Sequence, residues 1–487
     1  MVFYLEISSM TSTWVESEFT TNNFSDRRIF ARFQTLMSSF AKTLHGTIPK
    51  ICEKKSEIKA AYRFFSNENV TVEPIQKAHM ESVKKRIPEN KIILNLQDTT
   101  TLRFFTHKSK KDSGDISYGH RGKKSRGYWL HAGLACDTSG TPLGVTSQRV
   151  WARKKINAGE TRNERKVRLR QTPFLEKESA KWVRACDDSK PLLETGCEVI
   201  QVADREADIY EFMQECKKNK FSFLIRTKSN RAVLFSSSNG CKHKCQMVER
   251  INKGSHVFSN STVQITGNNM RKPKSIKVTM QAANATLLTP ISNRRSDEGK
   301  SLLPIDVTLI SVTSKDRVNG KPISWKLLTD RKVQTEKELR EIVLWYKVRW
   351  QIELFFKTLK TGCQIEASRL TDLRKLKPFL IMKSITAYRV LSLTNYAKSS
   401  PNESVFEVIT KEEWSILKHV LYKKSHMPRR PKISELIQKI AEIGGFISGR
   451  NRFPGIITVW RGWEQIWGSI MVLNRIGVNQ LSLVGNR

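Results

Sequence analysis

The chain has 487 residues, a length that favours about three domains, and 39% of them are hydrophobic, enough for packed cores. Its 85 Lys and Arg against 46 Asp and Glu give a net charge of +39, which favours a polyanionic partner, above all nucleic acid; a generally basic or ribosome-associated protein is the alternative. No apolar run approaches the roughly 18 residues of a membrane span, the start lacks the pattern of a signal peptide, and eight cysteines fit a reducing cytoplasm.

The first 85 residues are predicted to form a helical domain. In "DRRIFARFQTLMSSFAKTL" the apolar residues recur at helical spacing, and "SEIKAAYRFFSN" predicts a second helix with a partial cap. Basic residues lie along this region, namely Arg27, Arg28, Arg32 and Arg63.

Residues 86–231 change to short apolar runs. "KIILNLQD" predicts a buried strand, "GYWLHAGLACDTSGTPLGVTSQRVWAR" two strands around a turn, and "CEVIQVAD" and "FSFLIRTK" two more, with helices before and after "CEVIQVAD". The basic stretch "RKKINAGETRNERKVRLRQ" predicts a mobile loop or a solvated face at the edge of a binding channel. This order of elements, with parallel pairing of the later strands, predicts an α/β ribonuclease H-like core with a mixed sheet.

Three further regions follow. Residues 232–325 alternate with period 2 and predict an inserted β-rich subdomain, whose Cys241, His243 and Cys245 lack a second ligand pair at zinc spacing. Residues 326–395 return to the core through the helical "TEKELREIVLWYKVRWQIELFFKTLK", and residues 396–487 predict a helical C-terminal domain.

Two acids, Asp98 and Asp204, are predicted to lie at the C-terminal ends of apolar strands, where sites form in α/β sheets. A carboxylate that closes a buried strand is costly unless it is paired or binds a metal. For each residue alone, a turn or N-cap aspartate is the alternative, since "DTT" and "DREAD" both precede turns or helices.

Glu353 is the third acid. At 100° per residue it shares a polar stripe of about 80° with basic and phenolic side chains, opposite an apolar face that includes Leu344. The stripe consists of Tyr346, Arg349, Glu353, Lys357 and Lys360. The alternative is a surface stripe with an i,i+4 pair between Glu353 and Lys357. Three carboxylates can hold two Mg²⁺ ions at a phosphodiester, and the neighbouring donors would then bind phosphates.

These motifs resemble those of the IS4-family transposases. The pattern Y-x-x-R-x-x-x-E-x-x-x-x-x-x-K at Tyr346–Lys360, together with "QDTTTLRF" and "DREADIYEF", is similar to the family signature and to the flanks of its two catalytic aspartates. Similarity covers nearly the whole chain, although the first 15 or so residues are less clear and Met10 is a possible start. The resemblance implies cut-and-paste transposition in a bacterial, nucleoid-associated setting by a synaptic homodimer on double-stranded DNA, both element ends and target.

The resemblance also implies roles for particular residues. Asp98, Asp204 and Glu353 would be catalytic and would bind Mg²⁺, for which Mn²⁺ is expected to substitute. Arg226, Tyr346, Arg349 and Lys360 would contact DNA near the cleavage site, and Lys357 shares their stripe. Trp325 would stack a flipped base, with a core tryptophan as the alternative.

The terminal regions carry two further implied roles. N-terminal Arg27, Arg28 and Arg63 would recognise the terminal repeats. The C-terminal residues Trp460, Trp463, Ile466, Trp467 and Ile470 would form the dimer contact, with an ordinary intrachain core as the alternative. At the level of the whole protein, the alternative functions are a catalytically inactive or inhibitory DNA-end-binding relative and a general nuclease of the same fold.

Overall fold

The computed structural model describes residues 12–20, 24, 26–52, 54–88, 91–104, 110, 112–118, 124–153, 160–237, 239–254, 256–265, 274–290, 302–318, 320–422, 426–449 and 453–475. The possible start at Met10 lies outside these residues. The chain forms two compact units, the first comprising residues 1–88, 99–156 and 351–487 and the second residues 89–98 and 157–350. Within the described residues no helix is both long and apolar enough to cross a membrane.

The helices are numbered in chain order. They are α1 (Ser12–Glu18), α2 (Arg27–Lys42), α3 (Ile48–Ile51), α4 (Lys55–Ser66), α5 (Val72–Lys85), α6 (Arg162–Gln171), α7 (Lys181–Asp188), α8 (Tyr210–Lys218), α9 (Met247–Gly254), α10 (Glu336–Val348), α11 (Trp350–Lys357), α12 (Leu373–Ser399), α13 (Lys411–Leu421), α14 (Ile433–Ile443) and α15 (Ile456–Arg475).

The strands follow the same convention. They are β1 (Ile92–Arg103), β2 (Gly114–Tyr118), β3 (Lys124–Cys136), β4 (Pro142–Trp151), β5 (Glu198–Ala203), β6 (Ser222–Arg226), β7 (Ala232–Ser236), β8 (Lys242–Gln246), β9 (His256–Ile265), β10 (Lys274–Leu287), β11 (Ile305–Val318) and β12 (Lys321–Thr329).

In the first unit, β3 pairs antiparallel with both β2 and β4, and α12 and α5 pack on β4. The predicted N-terminal helices are confirmed as α2 and α4, and Asp26 caps α2 by accepting a hydrogen bond from the Arg28 backbone amide at 2.7 Å. The 27-residue α12 is buried along most of its length and packs on α5, α2 and β4. A helix buried on nearly all sides is the centre of a core rather than a surface element.

The C-terminal aromatic residues belong to this unit's own core. All five residues predicted at a dimer contact are at most 8% exposed and pack with residues of α12, α13 and α14. Trp463 also donates its indole N–H to the Ala41 carbonyl at 3.2 Å. The chain itself already buries the apolar surface of these side chains, while the expected dimer contact stays a prediction. The alternative, an intrachain core, is confirmed.

In the second unit, the first half of β1 pairs parallel with β5, and β5 pairs parallel with β6. β12 then pairs antiparallel with β6, and the order continues through β11, β10, β7 and β8, with β9 beside β10. The parallel pairs of β1, β5 and β6 and the antiparallel pair of β6 and β12 give the mixed sheet expected of a ribonuclease H-like core. The predicted β-rich stretch is present, and its last strand runs past residue 325 to Thr329.

Three elements differ from the prediction. β1 does not end at Asp98 but continues to Arg103. The basic stretch predicted as a loop contains helix α6, which begins at a Thr161–Glu164 capping box; its residues 154–159 lie outside the described range. The helix predicted directly after Asp204 is a 3₁₀ turn over Arg205–Ala207, and α8 begins only at Tyr210.

Candidate active site

Asp98 lies within β1, and Asp204 directly follows β5, the parallel neighbour of β1. The pairing of β1 with β5 runs from Ile92 opposite Glu198 to Leu96 opposite Val202. Each aspartate lies two residues beyond that last pair, so both are at the same level and on the same face as Leu96 and Val202. Neighbouring strands lie about 4.8 Å apart, so a continuation of this register by two residues would place the two side chains next to each other.

A buried amide network fixes this register. Asn95 and Gln97 of β1 both donate to the side-chain oxygen of Gln201 on β5 at 2.8 Å, and Gln201 donates to the Ser189 hydroxyl at 3.0 Å. All four side chains are fully buried. Strands with apolar residues on both faces specify their register weakly by pattern alone, whereas a slip would leave these buried amides without partners at a cost of about 1–3 kcal/mol each.

Arg349, the C-cap residue of α10, forms an ion pair with Asp98. Its guanidinium lies 3.1 Å from Asp98 Oδ2, and the two side chains are 15% and 19% exposed. A cation therefore stands next to the first aspartate. Arg226 ends β6, and the pairing of Ala203 with Ile225 places it level with Asp204; its guanidinium donates to the Ser324 carbonyl at 3.0 Å.

Tyr346 is buried, 6% exposed, and its phenol lies beside both guanidinium groups. Burial raises the pKa of Tyr346, and the positive charges of Arg349 and Arg226 oppose that rise. Burial lowers the pKa of Arg226, and Tyr346 partly offsets that lowering. The half-buried Trp325 packs edge to face on Tyr346, with ring centroids 5.6 Å apart. Two arginines, a phenol and an indole thus converge near the aspartates.

Asp204 is the N-cap residue of the 3₁₀ turn, as the alternative of a turn or N-cap aspartate predicted. Its Oδ1 accepts a hydrogen bond from the Glu206 backbone amide at 2.8 Å, at the start of the 3₁₀ turn. Its Oδ2 makes no hydrogen bond within the described residues. A cap that uses one oxygen leaves the other available to bind a cation.

The remaining stripe residues belong to the first unit. Glu353 on α11 is half-buried and Lys357 is exposed. Lys360 lies in a short π-helical segment, Thr358–Gly362, and donates to the Thr100 hydroxyl at 2.5 Å; burial lowers the pKa of this lysine. Among the described residues no three His, Cys, Asp or Glu side chains lie close enough together to hold a metal ion.

The helical wheel was wrong about the exposure of two residues of α10. Leu344, predicted on the packed apolar face, is 50% exposed, whereas Tyr346 on the polar stripe is buried. This part of the stripe thus faces protein groups rather than solvent, because Tyr346 packs on Trp325 and Arg349 pairs with Asp98.

The three N-terminal arginines are solvent-exposed. Arg27 and Arg28 lie in the first turn of α2, where Arg28 pairs with Asp26 at 3.1 Å. Arg63 lies on α4 and lines an open surface cavity of about 360 Å³. The same helix supplies the other residues that line the cavity, which are Lys55, Ile58, Lys59, Tyr62 and Ser66. Such an exposed basic helix face suits a DNA backbone.

Sequence analysis missed the residues that position this site. Asn95, Gln97 and Gln201 interrupt otherwise apolar strands, and that interruption was the signal that could have found them. Buried amides inside a strand require partners, and two such strands in one domain predict a shared network.

Two family models match the chain. The model described as "Transposase DNA-binding" matches residues 11–70, which contain all three N-terminal arginines, and "Transposase DDE domain" matches residues 185–389, which contain Asp204 and Glu353 but not Asp98. The chain thus carries the DNA-binding and DDE domains of transposases, and together they support a DDE transposase. A DDE transposase domain implies an enzyme that cleaves DNA and transfers strands, and such domains generally use divalent metal ions.

Among the solved structures similar to the chain is one titled "Cryo-EM structure of piggyBac transposase synaptic complex with hairpin DNA (SNHP)". The sequences are 9% identical, the TM-score is 0.34, and the match covers 84% of this chain and 76% of that chain. A likeness this distant has no bearing on the site.

Proposed function

We propose that this protein is a Mg²⁺-dependent cut-and-paste transposase of the IS4 type, similar to the Tn5 (IS50) transposase. It would bind the terminal inverted repeats of its element, nick the ends, form and open hairpins, and transfer the ends into target DNA. The observation that carries the proposal is the alignment of Asp98 with Asp204 on parallel strands, beside Arg349, Arg226 and Tyr346.

The donor set of this site fits a hard divalent cation. Asp98 and Asp204 offer carboxylate oxygens, which Mg²⁺ prefers, and the guanidinium next to Asp98 already stands where positive charge is favourable. We propose Asp98, Asp204 and Glu353 as the ligands, with Mn²⁺ as a substitute ion. Bound there, the metal would supply an activated water or hydroxyl and stabilise the leaving oxygen of a phosphodiester.

The chain's own residues would bind and orient the DNA. Arg226, Arg349 and the Tyr346 phenol present hydrogen-bond donors that match phosphate oxygens. Lys357 and Lys360 continue the same sequence stripe. Trp325 has the flat apolar face needed to stack an unpaired base. In a synaptic homodimer, each protomer's core would act on the DNA end held by the other, with Arg27, Arg28 and Arg63 binding the terminal repeat.

The test uses the full chain with duplexes that end in the element's terminal repeat, identified as inverted repeats that flank the gene. Wild-type protein and Mg²⁺ are expected to give nicked and hairpin products. Asp98→Asn, Asp204→Asn and Glu353→Gln should each lower end cleavage by about 10³-fold or more, since several kcal/mol of metal-dependent stabilisation is lost. Asp187→Asn, at an exposed residue paired with Lys190, is the matched control and should cleave normally.

Binding is measured on the same proteins by gel shift, where all four variants should still bind ends. Full cleavage by Asp98→Asn or Glu353→Gln would contradict the assignment of these acids. End binding by the wild type without cleavage in Mg²⁺ or Mn²⁺ would instead favour an inactive or inhibitory relative. Cleavage that ignores the end sequence would indicate a general nuclease.

A further inference from the structure

Helix α6 buries none of its described side chains. From residue 163 to residue 171 every side chain is exposed, including Val167 at 52% and Leu169 at 44%. Its ten residues, "RNERKVRLRQ", contain five basic residues and one acid. A helix that is polar on all sides lacks the packed face that stabilises most helices in proteins.

Local interactions only partly explain why α6 is helical. Thr161 and Glu164 form a reciprocal capping box, and Arg168 binds Glu160 through two hydrogen bonds of 2.5 and 2.9 Å. A helix this short is marginal in water without packing. Moreover, Lys166 and Arg170 are like charges at i,i+4, which destabilises a helix. A partner that neutralises this charge would stabilise α6 directly.

The basic side chains of α6 divide into two sets. Arg168 is already paired with Glu160. Arg165, Lys166 and Arg170 are exposed and fall within an arc of about 140° around Leu169 at 100° per residue. These three form one basic face, and exposed lysine and arginine side chains at helical spacing are suited to successive phosphates of a DNA strand.

We propose that the face of Arg165, Lys166 and Arg170 on α6 is a docking surface for the phosphate backbone of duplex DNA, bound without regard to sequence. Exposed Val167 and Leu169 would also suit a protein partner, but five bases against one acid favour a polyanion. This inference rests on the proposed function in one respect, which is that DNA is the substrate of the protein. The duplex can be an element end or a target, which share the same phosphate chemistry.

The test compares salt dependence of binding in two matched triple variants. Arg165→Gln/Lys166→Gln/Arg170→Gln removes the α6 face, and Lys190→Gln/Lys218→Gln/Lys220→Gln removes three exposed lysines of the same unit. Dissociation constants are measured from about 50 to 200 mM salt on a terminal-repeat duplex and on an unrelated duplex. The α6 variant should lower the slope of log affinity against log salt by about 1 per lost phosphate contact, so up to about 3. The control triple should leave the slope near that of the wild type.

The duplex on which the α6 variant changes the salt slope shows whether α6 binds element-end DNA or target DNA. A change on the terminal-repeat duplex alone places α6 on the element end. The slope on the unrelated duplex is also measured after the protein has bound terminal-repeat DNA. A change of slope on that duplex in both measurements assigns α6 to target DNA. Hydrogen exchange of the amides over residues 162–171 gives a second readout, since an exposed short helix should exchange fast in the free protein and slowly on DNA.

Unchanged slopes on both duplexes, with no exchange protection, would overturn the proposal. A change in sedimentation of the α6 variant with unchanged slopes would overturn it in favour of a second copy of the chain as the occupant. Because every described α6 side chain is exposed, the variant should keep its thermal unfolding midpoint. Asp98→Asn should keep the full slope, so a failure of the active-site proposal leaves this comparison intact.

Discussion

Two acids in this basic protein, Glu18 and Asp98, each pair with an arginine, but their surroundings differ. Glu18 in the first unit is 3% exposed, and both of its oxygens are occupied: Oε1 by His79 at 2.6 Å and Arg86 at 3.1 Å, Oε2 by Arg86 at 2.7 Å. Asp98 in the second unit is 19% exposed and contacts the Arg349 guanidinium at 3.1 Å.

The difference in burial and in hydrogen-bond partners distinguishes a structural ion pair at Glu18 from a candidate active site at Asp98. The Glu18 network is closed, since the Val145 backbone amide donates to His79 Nε2 at 2.9 Å, so the neutral ring must carry its proton on Nδ1, facing Glu18. Asp98 is near solvent, level with a second aspartate and among groups that suit phosphate. Removal of the first acid should therefore change stability, and removal of the second should change chemistry.

The largest expected effect is on folding stability. Glu18→Ala should lower the free energy of unfolding by about 3–5 kcal/mol, because it leaves the buried His79 and the half-buried Arg86 without their carboxylate. Asp98→Asn should change it by no more than about 1 kcal/mol, since its ion pair is partly exposed. Urea unfolding monitored by tryptophan fluorescence measures both. Glu16→Ala, at an exposed position of the same helix, is the control, and equal losses for Glu18→Ala and Asp98→Asn would remove the distinction.

The next effect is on acid stability. Burial alone would raise the pKa of Glu18, but Arg86 and His79 lower it to about 2. A carboxyl with a lowered folded-state pKa stabilises the protein above its unfolded value and loses that contribution as the pH falls. We expect about 3 kcal/mol to be lost between pH 4.5 and 2. Burial also lowers the pKa of His79, so protonation of the unfolded state begins to destabilise the fold below about pH 6.5.

Urea unfolding as a function of pH tests this. Glu18→Gln should show a shallower decline than the wild type between pH 4.5 and 2, while other carboxylates titrate equally in both proteins. If the free energy of unfolding declined equally with pH in the two proteins, the charges of Arg86 and His79 would not be lowering the pKa of Glu18.

The smallest expected effect concerns Arg349. If Asp98 binds a metal as proposed, the Arg349 guanidinium would compete with that metal for its carboxylate. Arg349→Met should then raise the affinity of the DNA-free protein for Mn²⁺ by about fivefold, the equivalent of about 1 kcal/mol for a partly exposed pair. Titration calorimetry measures this without any reaction. Arg340→Met, at an exposed residue of the same helix paired with Glu336, removes the same charge and should leave the affinity unchanged; an equal gain there would indicate only general electrostatics.

The elements with strong periodicity could be predicted from the sequence. The strands containing Asp98 and Asp204, the helices α2 and α4, and the β-rich stretch all have patterns that tertiary context does not override. Helix α6 lacks an apolar period because it buries nothing, and only its Thr161–Glu164 capping box signalled it. The C-terminal tryptophans could not be assigned to core or dimer, since periodicity shows that a face is buried but not by what.

The sequence predicted candidate reactive residues, namely Asp98, Asp204 and Glu353, and it indicated less about the residues that surround them. Leu344 and Tyr346 exchanged their expected exposure because the long-range partners Trp325 and Asp98 decide which side of α10 is covered. Neighbouring strands such as β1 and β5 are 106 residues apart in the chain at their paired positions, and no local pattern specifies their register.

The amide network between β1 and β5 makes the alignment of Asp98 with Asp204 sensitive to the length of chain as well as to its composition. A one-residue insertion between Gln201 and Asp204 would leave Asn95, Gln97 and Gln201 bonded and the strands well packed, yet it would turn the second carboxylate to the opposite face. Relatives of this chain should therefore vary in length before Asn95, after Asp204 or between the two strands, while Asp98 keeps its place directly after Gln97 and Asp204 keeps its place three positions after Gln201.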